Sequence, residues 1–149
     1  MCADMPELVQ TSLNMGIAKL DSEGFHMSFS VRSSVNQEKL DVLGKLHDLA
    51  KMYECEFSEA GHYPAWEYKA DSALRDLMVK TYREMFAEEP QVVSIHAGLE
   101  CGLLGEKIQG LDSVSIGPDM QDIHTSRERL NIASVERMWK YLLQLLKEM

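Results

Sequence analysis

The sequence predicts a mixed α/β fold of the α+β kind, and three observations carry that expectation. Two runs near the amino end alternate apolar and polar residues, as half-buried antiparallel strands do. Three longer stretches repeat apolar residues at helical spacing. Between the later helices lie short, continuous apolar runs, and helices alternating with such runs suggest an α/β layer.

In the first run, Val9, Thr11, Leu13, Met15 and Ile17 alternate with Gln10, Ser12, Asn14 and Gly16. Asp21-Ser22-Glu23-Gly24 supplies a turn. Phe25, Met27, Phe29 and Val31 then alternate with His26, Ser28, Ser30 and Arg32, so the two strands form a hairpin. Ser34-Val35-Asn36-Gln37 has capping-box form and should open a helix. Leu40, Leu43, Leu46, Leu49 or Ala50, and Tyr53 mark its apolar face to about residue 52. Residues 55–58 read as a third short strand. Gly61-His62-Tyr63-Pro64-Ala65-Trp66 breaks regular structure and divides the chain into domains at 1–65 and 66–149.

Beyond that boundary, Leu74, Leu77, Met78, Thr81, Tyr82 and Met85 define a helix from Asp71 or Ser72 to about Ala87. Pro90 precedes a buried strand at 92–95, which runs into a loop and helix start at 96–104. Another buried strand follows at 113–116. The closing helix carries Val135, Met138, Trp139, Leu142, Leu143 and Leu146 on its apolar face.

Composition bounds the function. The chain of 149 residues is 45% hydrophobic and 26% charged, ordinary for a globular protein. A net charge of −9 and a pI near 5.0, with no Lys/Arg stripe, exclude nucleic acid as a partner. Cys2, Cys55 and Cys101 have no CxxC spacing, which argues against a disulfide framework or zinc knuckle and for a reducing cytosol. No apolar run approaches the ~20 residues needed to cross a bilayer. The amino end lacks a signal-peptide pattern. A cytoplasmic, soluble chain without a membrane partner is expected.

Chemistry concentrates in two loops that follow predicted strands, the usual position of a ligand crevice in α/β sheets. The first holds His96, Gly98, Glu100, Cys101 and Gly102. Cys101 with His96 could be a nucleophile and base, but a free cysteine on a helix is first of all a small core residue. Gly98 and Gly102 fit backbone amides meeting a carboxylate; a plain tight turn explains them equally well. The second loop, Gly117-Pro118-Asp119-Met120-Gln121-Asp122-Ile123-His124, offers one imidazole. Alone, it reads as a surface histidine, because a stable zinc site needs three or four ligands. Arg32 could clamp a carboxylate bidentately, or simply be solvated. Glu88-Glu89 before Pro90 reads as a solvated helix end, and His47 as helix surface.

Taken together, several strings resemble the aminoacyl-histidine dipeptidases (Xaa-His dipeptidases, peptidase D), di-zinc exopeptidases related to carnosinase and aminoacylase. They are Val9-Gln10-Thr11-Ser12-Leu13-Asn14, Ser30-Val31-Arg32-Ser33-Ser34, Tyr63-Pro64-Ala65-Trp66, Ile95-His96-Ala97-Gly98-Leu99-Glu100-Cys101-Gly102-Leu103, and Val114-Ser115-Ile116-Gly117-Pro118 leading to His124. The string around Gly98 is the most specific, and the series keeps the family's order over nearly the whole chain.

The resemblance implies a partial lid and dimerisation domain, an antiparallel sheet with a helix, at 1–65. It also implies the carboxy-terminal part of a zinc-exopeptidase catalytic domain at 66–149. By the same likeness His124 is a metal ligand, and Arg32 and Gly98 bind the substrate. Glu128 supports the metal ligand from behind or fixes its loop, and His96 and Glu100 line the pocket without a definite role. The family's His-x-Asp motif, bridging aspartate and general-base Glu-Glu pair have no counterpart here. The sequence thus reads as a carboxy-terminal fragment of a homodimeric dipeptidase that holds two zinc ions when complete. One imidazole cannot hold two cations that activate a shared water, so the chain alone is expected to be inactive and to bind zinc weakly, with no catalytic residue of its own. Two rivals remain: a non-catalytic, self-associating or partner-binding module, and a thiol enzyme using Cys101 and His96.

Overall fold

A computed structural model describes residues 9–95 and 100–149. The described residues contain four helices and two antiparallel strand pairs, the mixed α/β character the sequence predicts. They group into two units. The first comprises Met1–Tyr68 with Val93–Leu111, and the second Lys69–Val92 with Asp112–Met149. The segment 93–111 therefore groups with the amino-terminal residues, whereas the sequence boundary at 65/66 assigned it to the later piece.

In the first unit, β1 (Thr11–Asp21) and β2 (Gly24–Ser33) form one hairpin whose turn pairs Asp21 with Gly24. The register slips between Met15 and Ile17, leaving Gly16 as a bulge. Leu13, Met15, Ala18 and Leu20 consequently lie opposite Val31, Phe29, Met27 and Phe25, forming one apolar face. Ile17 falls opposite Ser28 on the polar face, a correction to the simple alternation. A bulge shifts the phase of the side chains by one residue, which periodicity alone does not reveal.

α1 (Asn36–Met52) starts one step later than a Ser34 cap would place it. Its N-cap is Val35, with no side-chain cap, so the capping box does not form. Ser33 and Ser34 are instead buried in the joint between strand and helix. There the Ser34 N–H donates to the Gln10 carbonyl at 2.9 Å, and the Val35 N–H donates to Ser33 Oγ at 3.0 Å. The exposed N–H of Asn36 finds the Glu67 carboxylate at 3.0 Å, which satisfies one of the helix's orphan donors. α3 (Glu100–Lys107) completes this unit.

In the second unit, α2 (Ala73–Phe86) is capped by Ser72, whose Oγ accepts from the Arg75 N–H at 3.0 Å. Asp112 reinforces that cap, accepting from Ser72 Oγ at 2.7 Å and from the Leu74 N–H at 3.1 Å. These bonds, the Ser72 hydroxyl first, hold the Asp112 carboxyl below the ordinary aspartate range. α2 packs on α4 (Ile132–Glu148) around Met78, Tyr141 and Leu145. The Tyr141 hydroxyl donates to the Met78 carbonyl at 2.6 Å, and the wholly buried Thr81 donates to Glu148 at 2.7 Å.

The packed stripe of α4 is Met138, Tyr141 and Leu145, while Trp139, Leu142, Leu143 and Leu146 stay exposed. Met138 is shared with the expected face, but the rest of the packed stripe is turned away from it. α4 is apolar over most of its circumference, and contact with α2 selects a different stripe from the one the sequence emphasises. The segments 55–58, 92–95 and 113–116 are not strands. Nor are the latter two buried as expected: Val92, Val93, Ile95 and Ile116 are exposed, although Val114 packs on the core. A strand needs a ladder partner, and the described residues offer none.

Candidate functional site

The candidate residues fall in both units, and each group is built by its own neighbourhood. In the second unit His124 sits between β3 (Met120–Gln121) and β4 (Arg129–Leu130), which pair Met120 with Leu130 and Gln121 with Arg129. The base of this loop is closed on the cap of α4. The Asn131 N–H donates to the Asp119 carbonyl at 3.0 Å, and the Asp119 N–H donates to Ser134 Oγ at 2.9 Å. Asn131 in turn caps α4, accepting from the Ala133 and Ser134 amides.

Inside the loop, Asp122 and His124 both take left-handed backbone angles, with φ of 52° and 65°. Such angles are costly for residues with a Cβ and persist where surrounding bonds hold them. Here the Glu128 carboxylate accepts the His124 N–H at 2.8 Å. The Asp122 carbonyl takes both the N–H (3.1 Å) and hydroxyl (2.7 Å) of Thr125, and the Asp122 carboxylate pairs with Arg129 at 3.0 Å. His124 itself is exposed. Glu128 thus makes a specific loop contact. The Asp122–Arg129 pair escaped the sequence reading, because only the hairpin register brings those two residues together.

Nearby in the same unit a small cavity of about 90 Å³ is lined by Tyr82, Phe86, Asp119 and Arg137 among others. Small-molecule sites usually enclose roughly 300–1,000 Å³, so this is not a dipeptide pocket. Arg137 stacks over Phe86 at 4.1 Å, donates to the Tyr82 hydroxyl at 2.9 Å and pairs with Glu88. Glu88 is therefore a tether of that guanidinium. Glu89, its neighbour in sequence, pairs separately with Arg83 at 2.5 Å.

In the first unit Arg32 is exposed on the polar face of the hairpin, opposite Ser12. Glu100 opens α3 and is exposed, and Cys101 is half-buried beside it. His96 and Gly98 lie outside the described residues. Gly102 has a definite structural reason: a Cβ there would stand 2.9 Å from the Pro64 carbonyl oxygen. α3 therefore rests directly on the Tyr63-Pro64-Ala65-Trp66 segment.

Among the described residues no three His, Cys, Asp or Glu side chains gather in a way that could hold a metal ion. His124 is a single imidazole donor, and the acids around it are already engaged, Glu128 with a backbone amide and Asp122 with Arg129. The described donor set does not make a two-metal centre. No described helix is long and apolar enough to cross a membrane.

No protein-family model matches the chain. It is 36% identical over 141 residues to the cytosol non-specific dipeptidase of Escherichia coli (strain K12), an alignment covering 95% of this chain and 29% of that protein. Its fold matches the crystal structure of aminoacylhistidine dipeptidase from Vibrio alginolyticus with a TM-score of 0.87 and 30% identity, covering 100% of this chain and 30% of the other. The chain spans less than a third of the length of either relative. Sequence and fold alike relate this chain to a part of these two dipeptidases.

Proposed function

We propose that this chain is the part of a zinc-dependent Xaa-His dipeptidase that supplies one imidazole ligand, His124, and substrate contacts from Arg32 and Gly98. On this reading the remaining metal ligands and the general base come from polypeptide equivalent to the portion of the dipeptidases that the chain does not span. The observation that carries it is the exposed His124, whose left-handed backbone is tied through its N–H to Glu128. By the family likeness His96 and Glu100 are assigned to the pocket of the complete enzyme, without a definite role. The complete enzyme is read as a cytoplasmic homodimer acting on small dipeptides, and zinc would polarise the scissile carbonyl and activate water there.

The test is direct. The purified chain, with zinc added, should release no histidine from a dipeptide ending in histidine. Chelator-sensitive hydrolysis by the pure chain would overturn the reading. In the complete enzyme, Arg32→Ala should raise KM about tenfold or more with a smaller change in kcat, since a lost charge-assisted bond to carboxylate weakens binding. An unchanged KM would remove Arg32 from the substrate site.

A second reading, a non-catalytic self-associating module derived from such a peptidase, is favoured by one feature. The hairpin's apolar face is open: Leu20 is 78% and Phe25 60% exposed. Apolar patches of this kind mark interaction surfaces.

A further inference from the structure

We propose that the first turn of α1, through Asn36 and Lys39, is a positioning element that fixes α3 relative to the strand end bearing Arg32. The proposal rests on the substrate role given above to Arg32 and to Gly98, which precedes α3 in sequence. Three sets of contacts, all within the first unit, meet at this turn. Glu38 accepts from the Gln10 side chain at 2.5 Å and from the Thr11 hydroxyl, which also contacts Ser33 Oγ at 2.8 Å. Those bonds sew α1 to the hairpin end at Ser33, the residue after Arg32.

On the other side, Asn36 Oδ1 accepts the Ala65 N–H at 2.8 Å, and the Lys39 ammonium donates to the Tyr63 carbonyl and lies 5.1 Å from the Tyr63 ring centroid. Lys39 is only 4% exposed, which is rare for a lysine and means that its charge depends on these partners. The strap so held, 63–65, is the surface on which Gly102 seats α3 with no room for a Cβ. Contact therefore runs unbroken from Arg32's strand through Glu38, Asn36 and Lys39 to the strap, and from the strap to α3. Glu100, the first residue of α3, follows Gly98 by two positions in sequence. The strand end bearing Arg32 and the start of α3, far apart in sequence, are thus referenced to one helical turn.

The experiment is amide hydrogen exchange on the 149-residue chain, comparing Asn36→Ala, Asn36→Asp and Lys39→Met with the unaltered protein. Asn36→Ala and Lys39→Met should each speed exchange in α3 about tenfold, the size of effect expected for one lost hydrogen bond. Asn36→Asp keeps an oxygen to accept the Ala65 N–H and should leave α3 within about threefold of the parent. α2 and α4 serve as the internal control and should not change. Unaltered α3 exchange in both disruptive variants would overturn the proposal. So would equal acceleration in every element, because the turn would then serve general stability alone. A separate titration with a dipeptide, read at the Arg32 side chain, addresses the substrate reading; its failure would not alter the exchange result.

Discussion

At His124 a left-handed backbone leaves an N–H that no helix or sheet can use, and the Glu128 carboxylate takes it. Glu128→Ala should therefore raise amide exchange at His124 by about three- to tenfold, the range for one exposed hydrogen bond. Glu128→Gln keeps an acceptor oxygen and should change it little. Equal exchange in both variants would show that the loop holds itself without this bond. Gly102 makes a sharper case. The atom facing a new Cβ is the Pro64 backbone oxygen at 2.9 Å, which cannot swing aside as a side chain would. Gly102→Ala should cost about 1–3 kcal/mol in denaturant unfolding, whereas Gly105→Ala, with open space around it, should not destabilise. The sequence offered either a ligand or a tight turn as the reason for Gly102. Close helix-to-strap packing is a third reason, legible only once Tyr63-Pro64-Ala65-Trp66 and α3 are seen together.

Helix ends show where sequence logic succeeds and where tertiary context takes over. Ser72 caps α2, as the apolar spacing of that helix invited. Ser34, which opens a capping-box motif in the sequence, is drawn into the strand–helix joint, where its N–H meets the Gln10 carbonyl. Local motifs state what a residue can do; a competing long-range partner decides what it does. The cap of α2 carries a pH dependence. Asp112 titrates below the usual aspartate value of about 3.9 because Ser72 and the Leu74 N–H bond its carboxylate. A carboxyl with a depressed folded-state pKa contributes stability that is complete above the unfolded value and lost as pH falls through the folded one. Protection of the first α2 amides should therefore hold at pH 5 and fall selectively below about pH 3.9. Asp112→Ala should abolish that acid step and speed exchange of the first α2 amides at neutral pH, because the Leu74 N–H loses its acceptor. The hairpin was readable from alternation, since its turn and both strands are local. Segments 92–95 and 113–116 were not, because an apolar run does not specify the partner that would bury it or pair with it as a strand.

Across the whole chain, the described apolar residues that are buried come down to Ala65, Met78, Tyr141 and Leu145, while both strands of the hairpin and much of α4 present large apolar groups to solvent. The fold class was legible because periodicity reports which face of an element is apolar. It does not report what lies over that face, and so the packed stripe of α4 was misjudged and the open hairpin face was taken as covered. Leu13, Met15, Leu20, Phe25, Met27 and Phe29 share one side of the hairpin at exposures from 37% to 78%. A continuous surface of that kind is driven toward any apolar partner, including a second copy of itself. Light scattering on the isolated chain should accordingly give a mass that rises with concentration. Leu20 and Phe25 are directly opposed across the two strands, so Leu20→Glu with Phe25→Lys places opposite charges side by side. The pair should preserve the hairpin while breaking the apolar surface. The double variant should remain monomeric at concentrations where the parent associates, with the near-ultraviolet signal of Tyr141 and its α2 neighbours unchanged. If the parent stays monomeric throughout, self-association fails as its function, and the open face is left to the complementary part of a dipeptidase.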